Sequence, residues 1–94
     1  MIEYLYNAIR ATAGEDITIA AKLTNEDGSQ IVGGCHVMLS DDEKVLITVD
    51  GECVNGTHNF TIPAAATKGL KGRYWYCICS GNASLCFKEP IYLI

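Results

Sequence analysis

Short runs in which apolar and polar residues alternate recur along this chain, and this period most limits what it can fold into. Alternate side chains of a strand point to opposite faces of a sheet. In "DITIAAKLT" the alternation therefore predicts a strand with one buried and one solvated face. The positions on its apolar side are Ile17, Ile19, Ala21 and Leu23.

Further strand-like segments follow at short, fairly regular spacing along the chain. They are "CHVMLS", "KVLITV", "THNFTIP", "GRYWYCICS" and "SLCFKEPIYLI". The intervening segments, among them "EDGSQIVGG", "SDDE" and "DGECVNG", carry residues that supply turn geometry. Only "PAAATKGL" has helical character, enough for a turn or two. Long helical segments between the strands are lacking, so the sequence predicts an antiparallel all-β sandwich or barrel.

The N-terminal segment Met1–Thr12 is open to two interpretations. The spacing of Ile2, Leu5 and Ile9 suits a helix, whereas the tyrosines and the turn that follows suit an edge strand or an arm. We favour the strand. With 94 residues there is room for one core, so a single domain over 1–94 is expected.

Charge and hydropathy argue against two classes of partner. The formal net charge is −4, and phosphate binding rests on clustered lysine and arginine, so neither nucleic acid nor an anionic membrane is expected. Apolar runs are far shorter than the roughly 20 residues of a membrane helix. Glu3 and Arg10 stand where a signal peptide would have its apolar centre, which predicts a start in the cytoplasm.

The segment "GRYWYCIC" carries the most specific fold signal. Gly72, Tyr74 and Tyr76 reproduce the spacing G-x-Y-x-C found late in immunoglobulin-like sandwiches, with a tyrosine in place of the core cysteine. This spacing predicts an immunoglobulin-like β-sandwich of about seven strands that lacks the inter-sheet disulfide. Strand alternation places Tyr74, Tyr76 and Ile78 on one face and Trp75, Cys77 and Cys79 on the other. The predicted core is Ile17, Ile19, Leu23, Val37, Leu39, Phe60, Ile62, Tyr74 and Tyr76.

The five cysteines do not form an obvious framework. Their odd number and the lack of an export signal argue against a set of disulfides. Paired C-x-x-C hooks, which structural zinc sites use, are missing as well. Inert, partly buried thiols are the favoured interpretation; metal binding and a hairpin disulfide from Cys79 to Cys86 remain open, and no essential metal is expected.

Catalytic motifs are also lacking. The chain has no G-x-S-x-G, phosphate-loop or H-E-x-x-H sequence. His36 and His58 lie on different predicted strands, and a structural role for His58 is favoured over a pair with a cysteine. We therefore expect no catalytic residue, no cofactor and no enzymatic activity.

The order of these segments is similar to that of a known family. "AGEDITIAAKLTNEDGSQIVGGCHVMLSDDE", then "NGTHNFTIPAAATKGLKGRYWYCI" and a closing "PIYLI", resemble the N-terminal β-sandwich domain of baseplate upper proteins from tailed phages of Gram-positive bacteria. The resemblance covers roughly Ala11 to Ile94. The positions that carry it are Asp16, Asp27, Gly28, Pro63, Gly72, Tyr74 and Tyr76.

This resemblance implies a non-enzymatic structural protein of a phage or prophage, associated with the tail or baseplate and acting through protein–protein contacts. Its partners would be a second copy or a tail protein, and its place the virion, or the host cytoplasm before assembly. The alternative is a small binding or accessory module that recognises a protein or carbohydrate through its loops. Both ends of the chain are expected at exposed sheet edges. The candidate interface residues are Ile91, Tyr92, Leu93, Tyr4 and Tyr6.

Overall fold

Two β-sheets form the protein, with one short helix between two strands. The computed structural model describes residues 2–5, 8–25, 27–80, 83–84 and 88–94, with the backbone alone for 3–5 and 83–84. The elements in chain order are β1 (Ile2–Leu5), β2 (Ala8–Ala11), β3 (Ile17–Ala21), β4 (Cys35–Ser40), β5 (Val45–Asp50), β6 (Glu52–Val54), β7 (Thr57–Ile62), α1 (Ala64–Thr67), β8 (Gly72–Ser80), β9 (Ala83–Ser84) and β10 (Glu89–Leu93).

The larger sheet has the strand order β1-β2-β10-β8-β4-β5, with β9 paired to β8, and the smaller sheet has the order β3-β7-β6. Neighbouring strands are antiparallel except β2 and β10, which are parallel. The small sheet, β3-β7-β6, corresponds in strand order to the B-E-D sheet of an immunoglobulin sandwich. The part of the large sheet that runs β10-β8-β4-β5 corresponds to its G-F-C-C′ sheet. The all-β sandwich prediction is confirmed.

The described residues contain ten strands rather than the expected seven or so. One reason is that the N-terminal segment forms a hairpin in which β1 pairs with β2. The strand interpretation of this segment is therefore correct, and the helical one is wrong. Another is that "DGECVNG", expected to be a turn, contains β6. The short β9 accounts for a further strand.

The core lies between the sheets and is filled by side chains from both. Seven of the nine predicted core residues are buried, while Leu23 and Tyr74 are partly buried against them. Phe60 on β7 packs so close to the β5–β6 corner that a Cβ atom on Gly51 would lie 2.7 Å from its Cδ1, which explains the glycine there. The buried apolar residues that the sequence analysis missed are Ile9, Ala11, Cys35, Ile78, Cys79, Ile91 and Leu93.

The C-terminal strand is interior, so the prediction that it forms an exposed edge is wrong. β10 lies between β2 and β8, and the pairing with β2 runs from Ile91 to Leu93. It continues beyond the strand, because the amide of Ile94 donates to the carbonyl of Ala11 at 3.0 Å. Pro90 precedes the residues that pair with β2, so its missing N–H removes no bond from that ladder. The outermost strands of the large sheet are β1 and β5, which confirms the edge prediction for the N-terminal strand.

The two faces of β8 should differ in their contribution to stability. Tyr76 is buried in the core, whereas Cys77 is partly exposed on the other face. Replacing a buried aromatic residue by alanine costs about 3 to 5 kcal/mol. We expect Tyr76→Ala to lower the free energy of unfolding by about that amount, and Cys77→Ser by about 1 kcal/mol or less. Urea denaturation followed by far-UV circular dichroism measures both; equal losses would contradict this assignment of the faces.

Candidate functional site

The candidate site is the face of the large sheet that points away from the small sheet, called the outer face below. Residues directly opposite each other in a sheet share a face. Ile91 and Leu93 point into the core, so Tyr92 between them points outward. Residues of the other strands that share its face of the sheet point outward as well. From the strand registers, the outer face contains Arg10, His36, Met38, Ser40, Thr48, Asp50, Arg73, Trp75, Cys77, Cys79, Pro90 and Tyr92.

Trp75 is held on this face by two contacts. The guanidinium carbon of Arg73 lies 4.8 Å from the centre of its ring, a distance typical of a cation–π interaction. On its edge, the indole N–H donates a 2.8 Å hydrogen bond to Oδ1 of Asp42 in the β4–β5 turn. A contact over the ring and a bond at its edge together fix the orientation of the indole before any partner binds.

The turn that supplies Asp42 is itself ordered by its neighbour Asp41. Oδ1 of Asp41 accepts hydrogen bonds from the amides of Glu43 and Lys44, both at 2.8 Å. These two bonds favour the ionised form and hold the pKa of Asp41 below its usual value. A lowered pKa stabilises the fold above the unfolded-state value, and this contribution is lost as the pH falls through the folded-state value. The turn therefore keeps its two bonds at neutral pH.

Two arginines flank the exposed tyrosine of β10. Tyr92 is aligned with Arg10 on β2 and with Arg73 on β8, and 39% of its surface is exposed. Together with Trp75, these residues form what we call the aromatic–arginine cluster. The same face also carries Asp50 and, at its rim, the Asp42 carboxylate that accepts from the indole. Charges of both signs therefore lie on the outer face.

Among the predicted interface residues whose side chains the structure describes, Tyr92 alone is placed where a partner could reach it. Tyr92 is exposed, whereas Ile91 and Leu93 are buried in the core, because β10 is covered on its inner face. For Tyr4 only the backbone in β1 is described, and Tyr6 lies outside the described residues. The strand period predicts that Trp75 lies opposite the core tyrosines, but no local pattern marks it as an interface residue.

The histidine proposed for a structural role has one. His58 is 1% exposed, stacks on Phe60 with ring centres 6.4 Å apart, and donates from Nε2 to the carbonyl of Ile31. Cys53 is its neighbour on β6, but the imidazole hydrogen bond of His58 within the described residues goes to Ile31. This arrangement gives the Nε2–H of the buried ring an acceptor, as a structural role requires.

The part of the chain that the structure describes holds neither a cluster of metal ligands nor a membrane-spanning helix. No three histidine, cysteine, aspartate or glutamate side chains in that part of the chain lie close enough to hold a metal ion. No helix there is long and apolar enough to cross a membrane. The hairpin disulfide stays a prediction, because Cys86 lies outside the described residues.

Comparisons with protein-family models, with curated proteins and with solved structures find no match for this chain.

The fixed position of the indole can be tested directly, since Trp75 is the chain's single tryptophan. Removing either contact by Arg73→Ala or Asp42→Ala should increase quenching of its fluorescence by acrylamide, because the ring becomes mobile. The free energy of unfolding should fall by about 1 kcal/mol or less in each variant. Arg10→Ala is the matched control, since this arginine is aligned with Tyr92 and not with the indole, and should leave quenching unchanged. Unchanged quenching in both test variants would contradict the assignment.

Proposed function

We propose that this chain is a non-enzymatic structural protein of a phage or prophage tail, and that it works through protein–protein contacts made by the outer face. The observation that carries the proposal is the aromatic–arginine cluster. Tryptophan, tyrosine and arginine are the residue types most enriched among those that dominate binding energy at protein interfaces. Here all three lie together on one sheet face.

The fixed orientation of Trp75 supports a binding role for this surface. Ordering a flexible side chain costs about 0.5 to 1.5 kcal/mol at an interface. The contacts of the indole with Arg73 and Asp42 already order the ring in the folded monomer. A partner would therefore gain contact area on the ring without losing the entropy of ordering it.

Charges of both signs on the outer face are compatible with self-association. Arg73 and Asp50 lie on this face, so two copies packed face to face can pair opposite charges. Opposite charges across an interface speed association and fix its orientation. The outermost strand β1 adds a second contact, since the edge of a sheet presents backbone donors and acceptors that a further strand can pair with.

The assignment to a phage tail rests on the sequence resemblance described above, including Asp16 and the "G-x-Y-x-Y" segment of β8. The immunoglobulin-like strand order is compatible with it, but many unrelated proteins share that order. The aromatic–arginine cluster lies on a sheet face and not in the loops. This favours the structural protein over a module that binds through its loops, and tail genes beside this one would favour it further.

Oligomeric state tests the self-association. We expect the wild type to be an oligomer at micromolar concentration, and Tyr92→Lys to shift it toward monomer, because the lysine adds charge and removes the aromatic contact. The exposed position of Tyr92 means that the variant should stay folded. Val54→Lys is the matched control, since Val54 is an exposed apolar residue on β6 of the other sheet, and should leave the oligomer intact.

Light scattering coupled to size-exclusion chromatography gives the mass of each species. A wild-type protein that is strictly monomeric at high concentration would overturn the proposal of self-association. If, in addition, no tail protein encoded nearby co-purifies with it, the proposal that it docks to a larger tail protein is overturned as well.

A further inference from the structure

Two thiols lie side by side on the outer face, beyond the aromatic–arginine cluster. Cys77 and Cys79 alternate along β8, so their side chains point to the same side of the sheet. Their sulfur atoms are 3.8 Å apart. Cys77 is partly exposed, and Cys79 is buried with 6% of its surface accessible.

We propose that this pair is a binding site for a thiophilic divalent ion of the zinc and cadmium class. Two thiolates bound at about 2.3 Å to one tetrahedral zinc ion are about 3.8 Å apart. The observed separation of the sulfur atoms of Cys77 and Cys79 is the same. An ion could therefore bridge them without a movement of the sheet.

The same strand geometry disfavours a disulfide between the two residues. Alternate Cα atoms of a strand lie about 6.6 to 6.8 Å apart, at the upper end of the roughly 4.4 to 6.8 Å range of disulfide-bonded cysteines, which most often have Cα atoms about 5.5 to 6 Å apart. Closing the bond would draw the two residues together in a segment that pairs with β4 at both cysteines and with β9 at Cys79. Coordination of an ion uses the existing spacing, and oxidation does not.

A nitrogen donor lies across from the thiols on the neighbouring strand. His36 on β4 is directly opposite Cys79, and Met38 is directly opposite Cys77. Opposed residues have Cβ atoms about 4.5 to 5.5 Å apart, so an imidazole at position 36 can reach an ion held by the sulfurs. Because no three such ligands are in place among the described residues, the ring of His36 has to turn toward the pair on binding. Solvent completes the coordination.

This site is independent of folding. β4 pairs with β8 at both cysteines, and β9 pairs with it at Cys79, so the thiols are positioned in the metal-free chain. The expectation that the protein needs no metal to fold is therefore unchanged. Since the thiols must lose their protons to bind the ion, binding should weaken as the pH is lowered.

The test is a titration of the freshly reduced full-length chain with Cd²⁺. We expect the ultraviolet charge-transfer absorption of cadmium–thiolate bonds to rise and saturate in proportion to the chain, and Zn²⁺ to compete for the site. Cys77→Ser and Cys79→Ser should each abolish the band. Cys53→Ser is the matched control, because Cys53 lies on β6 of the other sheet, and it should bind as the wild type does.

His36→Ala should weaken binding by about tenfold or more, and far-UV circular dichroism checks that each variant folds. If a serine variant fails to fold, alanine at the same position replaces it. The proposal is overturned if the wild type gives no band, or if both cysteine variants keep the full band. Unchanged affinity in His36→Ala would overturn the assignment of the third ligand.

Discussion

The parallel pairing of β2 with β10 is the contact that attaches the N-terminal hairpin to the large sheet and makes the C-terminal strand interior. It joins residues near the two ends of the chain, from Ile9 opposite Ile91 to Ala11 opposite Leu93. Pairing of such distant segments costs chain entropy, which must be met by burial of apolar surface. The side chains that provide that burial, Ile9, Ile91 and Leu93, are almost wholly inaccessible. Without this pairing, β1 and β2 would have no place in the sheet.

The same pairing determines what the outer face presents. Register is strict in a strand with one buried face, because a slip of one residue exchanges the two faces. With Ile91 and Leu93 inward, Tyr92 must point outward, between Arg10 and Arg73. The inward tyrosines of β8 likewise force Trp75 and the two cysteines outward. The core thus positions both surfaces for which we propose a role.

Much of the fold follows from the sequence because the strand period is a local signal. β4, β7 and β8 coincide with the segments "CHVMLS", "THNFTI" and "GRYWYCICS". Periodicity, however, tells which face a residue occupies and not which strand lies beside it. For that reason the uncharged "PIYLI" suggests an exposed edge, whereas its lack of charge reflects the two strands that flank β10. The bond between Trp75 and Asp42 spans 33 residues of the chain, and no local pattern could predict it.

Hydrogen–deuterium exchange of the backbone amides tests the central claim, that β10 is an interior strand, most directly. Amides bonded in the middle of a sheet exchange only through large openings of the structure. Those of Ile91 to Leu93 should therefore exchange as slowly as those of β8, and much more slowly than those of the exposed loop at Val32 to Gly34. Exchange in β10 as fast as in that loop would contradict the account, because the C-terminal strand would then not be held between β2 and β8.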